Sequence, residues 1–290
     1  VDIIIFLQRF ASPFLDTLMF WITQLGSEQV YIALLIVVFL SIDAKIGRRL
    51  GIFLLISFYL NQHLKILMDT PRPFVIDPSV ARSQAAIDSA GGGAFPSGHA
   101  QGSTTFWGLV AFYFRKRWLW WLAAFLIVLV SVSRLYLGVH WPVDTLGGIV
   151  IGIAIIGLTM LVDTFVTNAL RIPWWVVLLL GLAIPLALNI FAPTPESGLL
   201  TGAFAAYLTA PLLLEHHPPK TFWKRIVLSL LGVILVFAFL LGSSVLLPEE
   251  FKRHPVGSFV RYLLLGYVGL LLTPWLGKFF GLCNKKAANS

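Results

Sequence analysis

Apolar segments long enough to cross a bilayer recur along almost the whole chain, and this repetition decides what the chain can become. Nine such segments are read at about 28–42, 49–68, 98–114, 118–136, 142–162, 174–191, 198–214, 226–247 and 256–276. Only 12% of the 290 residues are charged, whereas a soluble domain of this size carries about 25%. Lipid rather than water is therefore the solvent for most of the protein, and in lipid only helices or closed barrels satisfy the backbone. The expected fold is all-α: a polytopic membrane bundle of about nine helices. Residues 1–24 differ from the rest, because Asp2, Gln8, Arg9, Pro13 and Asp16 interrupt the apolar residues. They read as an amphipathic helix lying in the interface.

The positive charges divide by loop. Lys45, Arg48, Arg49, Arg115, Lys116, Arg117, Arg171, Lys220, Lys224, Arg225, Lys278, Lys285 and Lys286 fall on one side, 13 of the 21 basic residues. The positive-inside rule makes that side cytoplasmic, with the amino terminus outside and the carboxyl terminus inside. The formal charge of +8 is thus a topological signal; no basic face with interleaved aromatics suggests nucleic acid. The pairs Trp120-Trp121 and Trp174-Trp175 stand at segment starts, as interfacial anchors do. A single cysteine, Cys283, excludes an internal disulfide and a cysteine-based metal site. The first ten residues show no cleavage site, so no signal peptide is expected, and a start at Val1 rather than Met suggests that the natural start is missing.

Against this background three short stretches stand out: Lys65-x6-Arg72-Pro73, Pro96-Ser97-Gly98-His99 and Ser133-Arg134-x5-His140-x3-Asp144. An ionisable group at the edge of an apolar segment costs up to several kcal/mol unless it is paired or used. With the orientation above, all three stretches fall at segment ends on the outer face, although that orientation came from other residues. Arg72 and Arg134 offer planar forks for phosphate oxygens and Lys65 a point charge. The Pro96–His99 turn precedes a helix, so its N–H groups, the Ser97 hydroxyl and the open backbone at Gly98 suit an anion. Two histidines suit double displacement, one attacking phosphorus and the other moving the proton. Asp144, four residues after His140, is placed to orient that imidazole. The residues alone do not rank His140 above His99 as nucleophile. No group of carboxylates stands ready for Mg²⁺ or Zn²⁺, so metal-free chemistry without a cofactor is expected.

The three stretches match, position by position, the three-part signature of the type 2 phosphatidic acid phosphatase superfamily, and the chain is similar to that family over roughly residues 1–162. The resemblance implies a phosphohistidine on His140, oriented by Asp144. It implies His99 as general acid and base, and Lys65, Arg72, Ser97, Gly98 and Arg134 around the phosphate. The count of nine spans with an outside amino terminus is similar to the glucose-6-phosphatases, which share the motifs.

The chain accordingly divides into a phosphatase core at 1–162 and a region of four further spans at 163–290 whose role is open. The expected activity is hydrolysis of a lipid phosphate at the outer face of a bacterial inner membrane, with phosphatidic acid, phosphatidylglycerophosphate or an isoprenyl (undecaprenyl) phosphate or diphosphate as substrate. The alternatives are a soluble phosphoester such as a sugar phosphate, or a lipid-phosphate binder or transporter without turnover. The expected partners are the lipid substrate and the bilayer; the oligomeric state is open, a homodimer included. Outside the motifs, His63 reads as an interfacial residue and His216-His217 as part of a solvated loop. The outer loop 69–95 is read as a lid or a solvated connection, and Asn189 as a helix-to-helix contact. Gly198, Gly202 and the nearby alanines suggest close packing, within the chain or between chains.

Overall fold

The computed structural model describes residues 2–166, 173–194 and 196–283; Val1, Arg171, Lys285 and Lys286 lie outside them, and with the last three part of the charge asymmetry. The described residues are helical, without a strand. Each of the nine expected segments is a helix, and six fall in stretches long and apolar enough to span: Ala44–Ile76, Arg117–Tyr136, Pro142–Asp163, Trp174–Phe191, Phe222–Leu246 and Pro255–Phe279. The other three, Glu28–Ile42, Gly98–Phe114 and Ser197–Leu213, have at most 17 residues. At 1.5 Å per residue they reach about 25 Å, short of a hydrocarbon core of roughly 30 Å. Among the described residues, six helices are thus candidate spans by length and composition, and three of the nine expected segments are shorter.

At the amino terminus, Asp2–Gln8 and Pro13–Gln24 meet at a bend of 119°. The break has a local cause: Ser12 is extended ahead of Pro13, and its hydroxyl caps the second helix by accepting from the Leu15 N–H at 3.2 Å. Ile3, Ile5, Phe6, Phe14 and Trp21 on these two helices, and Phe10 in the break between them, are all exposed. If the pair is counted as one broken span, the total becomes seven.

The chain forms two compact units. One takes Val1–Tyr31 and Leu60–Asn168, the other Ile32–Tyr59 and Ala169–Ser290. In the first, Gly98–Phe114 packs against both Arg117–Tyr136 and Pro142–Val166, and Pro13–Gln24 lies on Arg117–Tyr136. Ala86, from the 69–95 loop, forms a small core with Tyr136, Leu137 and Val139. Gly138 is required here: its φ is +73°, and a Cβ would come within 2.0 Å of the Val80 carbonyl.

In the second unit Ser197–Leu213 packs tightly on Pro255–Tyr267 and on Trp174–Phe191. A Cβ on Gly202 would lie 2.3 Å from the Phe259 carbonyl oxygen, so the small residues expected to permit close packing do so within the chain. Asn189 donates to the Pro255 carbonyl at 2.7 Å and accepts from Ser197 Oγ at 2.8 Å, the helix-to-helix contact expected of it. His216 departs from expectation. It is buried, with Nε2 2.9 Å from the Leu40 carbonyl and its ring 5.4 Å from Phe39, while His217 remains half-exposed beside Glu215. Burial lowers its pKa to about 4.

Candidate active site

All three charged stretches converge in the first unit, and each arrives by a different local device. Lys65 is in the last turn of Ala44–Met68. Arg72 precedes Pro73, which holds it in an extended conformation. Ser97 is the N-cap of Gly98–Phe114, its hydroxyl accepting from the Ala100 N–H at 3.4 Å. Arg134 is in the last turn of Arg117–Tyr136. Pro142 opens the next helix, which puts Asp144 in its first turn. The Ser97 N–H donates to the Asp144 carbonyl at 3.0 Å and locks the second stretch to the third.

His140 and Asp144 are both about 1% exposed. Asp144 Oδ2 accepts from the Trp141 N–H at 2.7 Å and lies 3.3 Å from His140 Nδ1. On the far side of the ring Arg72 Nη1 lies 3.2 Å from Nε2. A guanidinium can only donate, so Nε2 is the acceptor and Nδ1 carries the proton toward Asp144. The ring is thus held with its lone pair on Nε2. Burial, followed by the charges of Arg72, Arg134, Lys65 and His99, lowers the His140 pKa well below the ordinary imidazole value. That shift favours the neutral imidazole.

The two arginines are held differently. Arg72 donates through Nε to Gly92, through Nη1 to Val139 and His140, and through Nη2 to Gly91 and Gly93, at 2.6–3.2 Å. Lys65 Nζ shares the Gly93 carbonyl at 2.5 Å. Four backbone carbonyls thus surround the Arg72 guanidinium. Arg134 is equally buried, but its Nε has no hydrogen-bond partner; Nη1 donates to Thr23 Oγ1 at 3.1 Å and Ser89 Oγ at 3.0 Å. A buried guanidinium N–H without an acceptor is costly, and an anion oxygen would satisfy it.

The structure thus brings Lys65, Arg72, Ser97, His99, Arg134, His140 and Asp144 into one unit, with Gly98 at the turn. Gly98 lies against Asn61, whose Oδ1 would be 3.1 Å from a Cβ there. Asn61 itself is buried; its amide donates to the Pro96 carbonyl at 3.2 Å and to Gln101 Oε1 at 2.8 Å, bracing the turn from below. His99 is partly exposed, its ring against Gly26. The loop at 69–95 is neither free nor merely solvated. Arg82 forms a bidentate pair with Asp16 at 2.9 and 2.8 Å, and the glycine carbonyls at 91–93 rest on Arg72. Sequence reasoning passed over Asn61, Thr23, Ser89 and the three glycines. Only Asn61 carried a signal, one helical turn before Lys65 on the same face. Among the described residues, no group of three or more His, Cys, Asp or Glu stands together as a metal site.

These features define a multi-pass helical membrane protein with a buried cluster of basic side chains around a His–Asp pair. Comparison with known proteins agrees. Residues 47–168 match the model of the PAP2 superfamily, and residues 195–286 match that of the PAP2 superfamily phosphatase transmembrane extension. The chain belongs to the PAP2 superfamily. It is 35% identical to an undecaprenyl-diphosphatase of Sulfolobus acidocaldarius, over 48% of this chain and 66% of that protein. It is 34% identical to sphingosine-1-phosphate phosphatase 2 of Mus musculus, over 47% of this chain and 39% of that one. With lipid phosphate phosphatase delta of Arabidopsis thaliana it shares 27% identity, over 68% and 50%. The chain therefore spans less than two thirds of the length of each of these relatives. No solved structure matches it.

Proposed function

We propose that the protein is a membrane phosphatase that hydrolyses a lipid phosphate through a phosphohistidine. The observation that carries this reading is the His140 ring, held neutral with its lone pair on Nε2 inside a ring of Lys65, Arg72 and Arg134. Nε2 attacks phosphorus as the bond to the leaving alkoxide breaks, and His99, entering the step as the imidazolium that the bound phosphate dianion favours, protonates that alkoxide. His99 then takes a proton from the water that cleaves the P–N bond, releasing phosphate and restoring both histidines. Asp144 keeps the proton on Nδ1 and stabilises the ring as it becomes positive. Arg72 gives up its bond to Nε2 when the phosphate arrives and donates to an oxygen instead; Arg134 offers its vacant Nε. Ser97 and the N-terminal turn at Gly98 complete the cradle. Three cations supply the charge that phosphoryl transfer requires, so the reading calls for no metal.

A lipid substrate suits a site built at helix ends, where the head group stays at the interface and the chains remain in the bilayer. The relatives named for undecaprenyl diphosphate and sphingosine 1-phosphate support that class. The site opens on the outer face of an inner or plasma membrane, with the carboxyl terminus in the cytoplasm, a placement that rests on the loop charges.

The test is phosphate release from the detergent-purified protein and its His140→Ala variant on phosphatidic acid, phosphatidylglycerophosphate, undecaprenyl diphosphate and glucose 6-phosphate, with and without EDTA. Release from a lipid that disappears in His140→Ala and survives EDTA is the expected result. Turnover by the folded variant removes His140 as nucleophile, preference for the sugar phosphate removes the lipid, and EDTA sensitivity reversed by Mg²⁺ removes the metal-free route.

A further inference from the structure

The segment before residue 47, outside the match to the PAP2 domain, reaches into the phosphate site. Thr23 is fully buried near the end of helix Pro13–Gln24, and its hydroxyl accepts from Arg134 Nη1 at 3.1 Å. Ser89, from the outer loop, accepts from the same nitrogen through Oγ at 3.0 Å and from Nη2 through its carbonyl at 3.4 Å. The oxygens that hold this edge of Arg134, two hydroxyls and one carbonyl, are neutral; they leave its full charge available and aim the fork. The opposite donor, Nε, is the buried atom without a partner.

The helix that carries Thr23 is fixed independently of Arg134. Asp16, two turns earlier, holds Arg82 through a bidentate pair and accepts from the Tyr136 hydroxyl at 2.5 Å. Gln8 ties the preceding helix to the Val80 and Tyr136 carbonyls at 2.8 and 2.7 Å. Tyr136 is two residues beyond Arg134, so the clamp and the threonine grip the same helix end. Just after Thr23, Gly26 lies against the His99 ring, and Tyr31 bonds Ser103 at 2.9 Å.

We infer that Thr23 and Ser89 are positioning residues for phosphate binding, with the amino-terminal segment acting as part of the site through Arg134. The inference rests on the proposed phosphatase reading for its ligand class, and its test does not require turnover. Thr23→Val keeps the shape of the side chain and removes the acceptor, whereas Thr23→Ser keeps the acceptor. In the full-length protein in detergent, we measure affinity for vanadate, together with KM and kcat wherever a lipid is hydrolysed.

Thr23→Val is expected to weaken vanadate binding about tenfold and to lower kcat/KM in parallel, as loss of one hydrogen bond to a charged group does. Thr23→Ser stays within about twofold of wild type. In an Arg134→Lys background, which keeps the charge and loses the fork, Thr23→Val costs nothing further; such coupling is what a merely structural role lacks. Additive losses in the double variant, or wild-type vanadate affinity in Thr23→Val, overturn the inference. If Thr23→Val melts much earlier than wild type, Ser89→Ala takes its place with the same expectations. A wild type that binds vanadate and hydrolyses no lipid refutes the phosphatase reading while the coupling still decides this one.

Discussion

The two units bury polar groups on different terms. In the second, the fully buried polar residues are hydroxyls, one asparagine and one histidine: Ser41, Ser57, Asn189, Ser197, Thr201, Thr209, His216 and Thr273. Several close on nearby backbone, as Thr201 does on Ser197 at 2.6 Å and Thr209 on Ala205 at 2.7 Å. In the first unit Lys65, Arg72, Arg134 and Asp144 are buried, and these are all the buried charges among the described residues. Neutral groups cost little inside a helical membrane protein once they find a helix neighbour. Charges cost several kcal/mol each, and Arg134 does not even find a partner for every donor. Polarity in the second unit therefore serves packing, whereas the buried charge of the first is what the proposed phosphate reading requires.

The strongest way to break this contrast within the first unit is His99. His99→Ala is expected to lower kcat by about 10²–10⁴ while KM changes far less, the range for loss of a general acid. The defect shrinks on a p-nitrophenyl phosphate ester, whose leaving group needs no proton. An equal loss on both substrates means that His99 shapes the pocket rather than donating the proton. Loss in KM alone moves it to the group of phosphate ligands.

How far the site was legible follows from what each residue does. The motif residues declare themselves because a charge at a lipid-facing segment end needs a reason, and their spacing is local: four residues from His140 to Asp144, seven from Lys65 to Arg72. Helix ends then bring them together. Thr23, Ser89 and the carbonyls of Gly91–Gly93 do not stand out, because a hydroxyl or a glycine costs nothing to place anywhere. Their partners lie 19 to 111 residues away. His216 misled for the opposite reason, since Glu215, His217 and the prolines around it look solvated while its own ring turns inward onto Leu40. Segment positions were readable from hydropathy. The number that span is less legible, because Glu28–Ile42 and Ser197–Leu213 are apolar but short, and Gly98–Phe114 is short as well.

Asn61 lies between the legible and the hidden, and it tests how far the charged cluster depends on neutral support. It touches no substrate atom in the proposed mechanism, yet it braces Pro96 and Gln101 on either side of the Ser97–His99 turn. Asn61→Leu is expected to reduce kcat/KM about tenfold, since the Pro96 carbonyl and Gln101 amide lose a partner and the turn relaxes. Asn61→Asp retains the size but replaces the amide donor with a carboxylate, and is expected to do the same or worse. Unchanged kinetics in the leucine variant would mean that the helix cap at Ser97 alone holds the turn.

The smallest effect is expected where the comparison says that polarity is structural. Asn189→Leu removes the bonds to Pro255 and Ser197. Both partners have other support: without Asn189 the Ser197 hydroxyl can turn its one hydrogen to the Thr194 carbonyl, 2.9 Å away, and the Pro255 carbonyl opens a helix whose own N–H groups can reach it. Interhelical hydrogen bonds of this kind contribute about 0.6 kcal/mol on average within membranes, so the variant should lose about 1 kcal/mol at most in a detergent melt. Its kcat and KM on the preferred lipid should equal those of wild type. A tenfold fall in kcat with an unchanged melt would show that a neutral group in the second unit serves the reaction, and the division of labour between charge and packing would then fail where it is expected to be safest.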